Sequence, residues 1–294
     1  MRRVWPRAAL LAFGAVAVIA GLTVYYSSDK LPPCLVSGSP AWNAPRDGTH
    51  SFEVVFPDRA ACVFESGGDH KLVGAIRLPE AEGISAASPN LQDVALRTKA
   101  GVLTLDLRTG QLHQGGLAPY PSPILTVLDE EHGVMYVTRP GFLGFRVIDL
   151  NTANSLYDVS FKGFGWDPDS GPNPPSHGLS LAPDKPELWV LDAPNSRVHV
   201  YDVSGLPSRP PRQIAAIPLS KPISGDVRPC SGDCERVGSL QHNADGKYVY
   251  VGDSGDVIDT KELEPVANLE ALHNSRVHLE AVFRDGDVSF PAPR

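Results

Sequence analysis

The stretch "HGLSLAPDKPELWVLDAPNSRVHVYDV" (177–203) limits the fold most, because the chain states the same pattern several times. It runs through an apolar segment, an Asp turn, a second apolar run, a short polar turn and a third run that ends in Asp. "GSLQHNADGKYVYVGDSGDVIDTKELEPVANL" (238–269) keeps that order around Asp245-Gly246. "ILTVLDEEHGVMYVTRPGFLGFRVIDLNTANSLYDVSF" (124–161) and "ISAASPNLQDVALRTKAGVLTLDLRTGQLHQGG" (84–116) keep it too. A degenerate copy covers 54–79, and "HLEAVFRDGDVSF" (278–290) is a copy cut short after two strands. Self-similarity of this kind has to be settled before any residue is read as chemistry.

Each unit reads as four short strands. Asp/Asn-Gly turns join the first two. Alternation such as Val198 and Val200 against His199 and Tyr201 marks the third strand. A closing Asp turn leads to the fourth, as in Leu72–Leu78, Gln213–Leu219 and Pro265–Leu269. No segment between 50 and 290 carries a convincing 3.6-residue period. Four-stranded units at intervals of about 40 residues are the signature of β-propeller blades. The expectation is therefore an all-β propeller of four-stranded blades, six or seven in number, with a degenerate blade near 34–60 making the seventh. The half-copy at 278–290 is expected to pair with the N-terminal strands, so that both chain ends close the ring. The 27 glycines and 28 prolines among 294 residues suit a fold with so many turns.

The N-terminus has a different composition. Arg2, Arg3 and Arg7 precede an uncharged apolar run from Ala8 to about Tyr26, long enough at 1.5 Å per residue to cross a hydrocarbon core of ~30 Å. No Ala-x-Ala site follows it, and Tyr25-Tyr26 fit an interfacial belt, so it reads as a transmembrane signal anchor with its basic side in the cytoplasm. A cleaved signal peptide is the alternative. Pro33 and the distance from the apolar run make "LPPC" a poor lipoprotein box, and the twin arginines hint at Tat export. The expected division is 1–30 signal anchor or signal peptide, 31–50 linker and 51–294 propeller. The domain then lies on the extracytoplasmic side of the cell membrane, or is secreted or periplasmic if the segment is cleaved. The four cysteines suit that compartment: Cys230 with Cys234 in a Pro/Gly-rich loop, and Cys34 with Cys62 tying the N-terminal segment to the domain. A four-thiolate zinc site is the rival, with spacings that do not favour it. A net charge of −8, with no basic run after Arg7, speaks against nucleic acid as a partner.

"HGLSLAPDKPELWVLDAPNSRVHVYDV", "MYVTRPGFLGFRVIDL" and "NADGKYVYVGDSGDVIDT" together resemble the YVTN-type β-propeller repeat. That superfamily includes the quinoprotein amine dehydrogenase β-chain and lactonase-like propellers. The resemblance covers roughly 80–290 and implies the fold. It does not imply an activity, because the matching residues are turn and core residues.

His177 and His278 stand at equivalent places, each seven residues before a turn Asp (Asp184, Asp285). First strands of blades line the central channel, so with His242, Gln241 and Glu280 these residues are the candidates for binding at the channel mouth. A structural role for both histidines, satisfying nearby backbone groups, is the competing reading. "DPDSGPNPPSH" (167–177) offers Asp167, Asp169 and Asn173 as a weak calcium loop, without the Gly and bidentate Glu such loops use. Trp166 and Phe164 could form an aromatic wall beside it. Asp106, Asp149, Asp192, Asp202, Asp253 and Asp259 recur at turn positions, where Asp caps backbone N–H groups. No nucleophile elbow, phosphate loop or haem motif is present. The sequence therefore leads to an extracytoplasmic, membrane-anchored propeller that binds an unknown protein or small-molecule ligand, with no cofactor expected beyond possible calcium. The alternative is a propeller enzyme of lactonase, lyase or quinoprotein-dehydrogenase type, acting at the channel mouth.

Overall fold

The structure, a computed structural model, describes residues 32–57, 59–78, 86–90, 93–98, 101–115, 126–167, 174–223, 225, 236–273, 275 and 277–291. They form five antiparallel sheets. Sheet I holds β1 (Thr49–Val55), β2 (Ala60–Glu65) and β3 (Leu72–Arg77). Sheet II holds β4 (Ala86–Asn90), β5 (Asp93–Thr98), β6 (Gly101–Asp106) and β7 (Gln111–Gln114). Sheet III holds β8 (Thr126–Asp129), β9 (Val134–Val137), β10 (Gly144–Asp149) and β11 (Ser155–Ser160). Sheet IV holds β12 (Ser176–Leu181), β13 (Glu187–Asp192), β14 (Arg197–Asp202) and β15 (Arg212–Pro218). Sheet V holds β16 (Ser239–His242), β17 (Tyr248–Gly252), β18 (Asp256–Asp259) and β19 (Glu264–Asn268). β20 (His278–Arg284) and β21 (Asp287–Ser289) return to sheet I, whose order is β21-β20-β1-β2-β3.

Sheets II to V are meanders in chain order, as the repeats require. Sheet I joins the two ends of the domain: β20 pairs along the whole of β1, from Thr49 with Arg284 to Val55 with His278. The degenerate copy at 54–79 and the short copy at 278–290 are thus two parts of one blade. That sharing removes the extra blade expected near 34–60, and five sheets stand among the described residues where six or seven were expected. Consecutive sheets pack through apolar clusters at four seams: I with II, III with IV, IV with V, and V back to I. The first strands of neighbouring sheets approach one another, β8 to β12, β12 to β16 and β20 to β4, as strands nearest a propeller axis do.

Burial follows position in the blade. Second strands lie between two neighbouring sheets and are apolar on both faces: in β13, Leu188 to Asp192 are all buried. Outer strands such as β19 alternate exposed and half-buried residues. The alternation read at 198–201 does not give a solvent face. Val198 and Val200 pack toward sheet V, while His199 and Tyr201 turn toward sheet III, where Phe161 stacks on His199 with ring centroids 4.0 Å apart.

The stretch 31–50, read as a linker, is held to the sheets at several points. Cys34 and Cys62 are bonded, with Cα atoms 5.7 Å apart. Ala41 bridges Ala75, and Trp42 Nε1 donates to Leu107 O at 2.5 Å. Trp42 lies so close to β3 that a Cβ on Gly74 would sit 2.6 Å from the Trp42 Cα, which fixes glycine there. Among the described residues no helix is long and apolar enough to cross a membrane. The Ala8–Tyr26 run lies outside them, as do Cys230 and Cys234.

Candidate functional site

The expected site residues all fall on first strands, but the strands distribute them between different seams. His177 lies on β12, buried, in the irregularity between Ser176 and Leu179. It is followed by Gly178 at φ +89, whose Cβ would meet Leu240 N at 2.8 Å. This close approach of β12 to β16 requires glycine and sets the positions of the neighbouring first strands.

His242 turns into the seam between sheets IV and V. Its Nδ1 is 2.7 Å from Ser180 Oγ, its ring meets Trp189 edge-on at 5.4 Å, and its Nε2 is buried without a partner. Burial, aided by the charge of Lys185, pushes its pKa down to about 3, so the imidazole is neutral. Gln241 is half-buried and pairs in register with Tyr250. Successive strand residues face opposite ways, so Gln241 points away from His242.

His278 and Glu280 lie two apart on β20 and share the face that meets sheet V. His278 is only 6% exposed, and neither ring nitrogen has a hydrogen-bond partner. Its ring centroid is 6.0 Å from that of Tyr250, and burial lowers its pKa to about 4. Glu280 accepts from Ser51 Oγ on β1 and, across the seam, from the backbone N–H of Ala244. Ser66 Oγ lies 3.5 Å from Glu280 Oε1 and 3.0 Å from Glu53 Oε1. Glu53, only 1% exposed, sits directly opposite Glu280 in the β1–β20 ladder, and its Oε2 has no partner. Burial raises both carboxyl pKa values; for Glu53 the charge of Glu280 adds to the rise, and for Glu280 that of Asp245 does. Beside them the Tyr250 hydroxyl is 3.1 Å from His70 Nδ1, and burial lowers the His70 pKa and raises that of Tyr250.

The structure therefore brings His278 and Glu280 together and separates His242 from them. Sequence reasoning missed Glu53, Ser66 and His70. In "THSFEVVF" a lone Glu between Phe52 and Val54 reads as the solvent side of a strand, and only the pairing with β20 buries it. A second missed group is Asp192 with His199. The His199 Nε2 is 3.1 Å from Asp192 Oδ2 and its Nδ1 is 3.0 Å from Gln213 Nε2, all beneath Phe161 and Phe164. Both ring nitrogens are engaged, which fits a packing role.

The recurring Asp residues act as turn caps. Asp106 accepts from Arg108 N at 2.8 Å, Asp149 from Thr152 N at 2.8 Å, Asp192 from Asn195 N at 3.1 Å, Asp202 from Ser204 N at 3.0 Å and Asp259 from Lys261 N at 2.8 Å. Asp253 differs, accepting from the more distant Gly238 N at 3.1 Å. Of the calcium candidates, Asp167 is exposed, while Asp169 and Asn173 lie outside the described residues. Phe164 packs on His199 and beneath the Arg197 guanidinium, so it belongs to a blade seam. Among the described residues no three His, Cys, Asp or Glu side chains converge as metal ligands would.

No family profile and no curated protein matches the chain. Among solved structures it is similar to hydrazine synthase of Kuenenia stuttgartiensis, at 16% identity and a TM-score of 0.34, over 64% of this chain and 49% of that one. It is also similar to dihydro-heme d1 dehydrogenase NirN in complex with DHE, at 13% identity and a TM-score of 0.35, over 81% of this chain and 47% of that one. The chain thus spans about half the length of these structures. The propeller assignment rests on the strand order and the seams described above.

Proposed function

We propose that this chain is an extracytoplasmic, membrane-anchored β-propeller of the YVTN kind that acts as a ligand-binding module, with its recognition edge where β20 faces sheet V. The observation that carries this reading is His278. A buried imidazole with two unpartnered nitrogens costs stability, and native structures hold few such groups. A site that recognises a polar molecule has a use for one; a packing position does not. The Arg-flanked apolar run at 8–26 and the Cys34–Cys62 bond support an oxidising compartment outside the cytoplasm. The enzyme alternative needs its histidines to act on one substrate, and the division of His242 and His278 between two seams weighs toward binding.

The test is thermal unfolding of the full-length protein in detergent against sugars, dicarboxylates and divalent cations, for wild type and His278→Leu. A ligand at about 100 times its dissociation constant stabilises by about 2.7 kcal/mol, a shift of roughly 5–10 °C for a domain of this size. The reading expects such a shift in wild type and its loss in a folded H278L. Equal shifts in both proteins, or no shift with any compound, would overturn it. Protease added to spheroplasts should digest the domain; protection until the cytoplasmic membrane is opened would overturn the placement.

A further inference from the structure

The carboxyl groups of Glu53 and Glu280 stand opposite each other in the ladder that joins the two chain ends, and each lies within 3.5 Å of the same hydroxyl, Ser66 Oγ. Like charges directly across an antiparallel pair repel, and a buried carboxylate needs a cation or several donors to remain ionised. Among the described residues, the groups facing the pair supply no cation. From β20 comes His278, from the β2–β3 turn His70, and from sheet V Asp245, Tyr248 and Tyr250. His278 and His70 are held neutral by burial, and Asp245 adds negative charge.

We propose that Glu53 and Glu280 share one proton and act as a pH-operated latch on the seam between sheets I and V, which opens when the second carboxyl ionises. The donors assign the roles. Glu280 accepts from Ser51 and from Ala244 N–H, so it is the partner equipped to carry charge. Glu53 has Ser66 alone and a bare Oε2, so it keeps the proton. The Ala244 N–H belongs to the β16–β17 turn of sheet V, so the hydrogen bond to Glu280 crosses the seam. When Glu53 loses its proton to solvent, two adjacent buried charges remain. Separating the sheets enough to admit water relieves them, and that loosens the bond to Ala244. The latch does not depend on the binding reading, since it needs no ligand at His278.

The experiment is hydrogen exchange by mass spectrometry on the full-length protein in detergent, at pH 6.5 to 9 and corrected for intrinsic exchange rates. This range lies above the pKa values of the buried histidines. Opening linked to release of one proton grows tenfold per pH unit between the ordinary carboxyl range, where the opened pair titrates, and the raised upper pKa of the closed pair, and levels off above it. Peptides covering 49–55, 244–250 and 278–284 should lose protection on that slope, while 187–202 in sheet IV keeps its protection. Glu53→Gln, which is neutral and keeps the acceptor for Ser66, should flatten the slope in all three peptides. If E53Q does not fold, Glu280→Gln serves, because its amide oxygen can still accept from Ala244 N–H. An unchanged slope in the folded variant, or no slope in wild type, overturns the latch. So does equal loss of protection across 187–202.

Discussion

Replacing Cys34 and Cys62 together by alanine tests how the N-terminal segment is bound to the domain. The bond closes a loop with a sequence separation of 28 residues. In the chain-entropy account a loop of that size lowers the entropy of the unfolded chain enough to contribute about 3.5 kcal/mol at 25 °C. Both residues belong to an apolar cluster with Val55, Phe64, Tyr250 and Leu272, at 2% and 0% exposure, so loss of the sulfurs also leaves small voids. The sum approaches 4 kcal/mol as an order of magnitude, a large part of the 5–15 kcal/mol typical of a folded domain. For a chain of this size it corresponds to roughly 8–16 °C in the melting temperature.

The assay is urea unfolding of wild type, C34A/C62A and the control C230A/C234A under the same non-reducing conditions. The C34A/C62A variant should unfold at lower urea with a steeper dependence, because its denatured state is freed to expand. Dithiothreitol should act on native wild type only slowly, since both sulfurs are reached only by opening. A destabilisation below about 1 kcal/mol with unchanged circular dichroism would refute the reasoning. It would mean that Trp42, anchored on Leu107 and against Gly74, holds the segment by itself.

Three further outcomes follow from the same geometry. Gly178→Ala forces a left-handed backbone on alanine and drives its Cβ into Leu240 N, so it should cost about 2–4 kcal/mol in urea unfolding. Asp149→Ala removes an exposed turn cap and should cost about 1 kcal/mol, whereas Asp256→Ala should cost at least about 3 kcal/mol. The fully buried Asp256 accepts from Ser220 N at 2.9 Å, Ser254 Oγ at 3.0 Å and Asn268 Nδ2 at 3.0 Å, and its loss takes the acceptor from Ser220 N and Ser254 Oγ, while Asn268 Nδ2 keeps Ser254 O. His242 and His278 have folded pKa values of about 3 and about 4 against an ordinary 6.5, so the unfolded chain binds more protons between those limits. Stability should therefore fall as pH drops from 6.5 toward 4, and a folded His278→Gln should show a shallower fall; an identical slope would refute the assignment.

Strand order, turn caps and the joining of the two ends were legible because each leaves a local mark that repetition amplifies. Asp149, Asp202 and Asp259 carry the same side chain into the same turn, so one copy explains the others. The seams were not legible. Whether His199 faces solvent or Phe161 depends on which sheet lies beside β14, and no residue near His199 in sequence records that. The extra unit near 34–60 was misread for a related reason: 54–79 and 278–290 each look like a partial unit, and only the pairing of β1 with β20 shows that they are parts of one. The site candidates were placed on the correct strands by the repeat, but the repeat could not say into which seam each side chain turns.

That distinction bears on where function is to be sought in this fold. The cluster between sheets III and IV joins Val127, Phe145, Leu188 and Tyr201, with His199 bonded to Asp192 beside it, and the one between IV and V joins Trp189, Val198, Leu240 and Val251, with His242 against Ser180. The seam between V and I also has an apolar cluster, but beside it are buried two carboxyl groups, Ser66, His70 and an unpartnered His278. It is also the seam bordered by the sheet that covalent continuity does not complete, since β20 and β1 are more than 200 residues apart and only the β1–β20 ladder and the packing around it join them. Selection for stability alone would favour apolar packing at such a junction, because replacing a buried polar cluster by well-packed hydrophobic residues is often neutral or stabilising. On the latch proposed above, the polar groups beside the ladder that joins the two chain ends would make that seam responsive to protons. A Glu53→Leu, Glu280→Met variant would measure this directly. If the seam is only structural, the variant unfolds with the same pH dependence as wild type above pH 6.5; if it is responsive, the variant is as stable as wild type or more so and has lost that dependence.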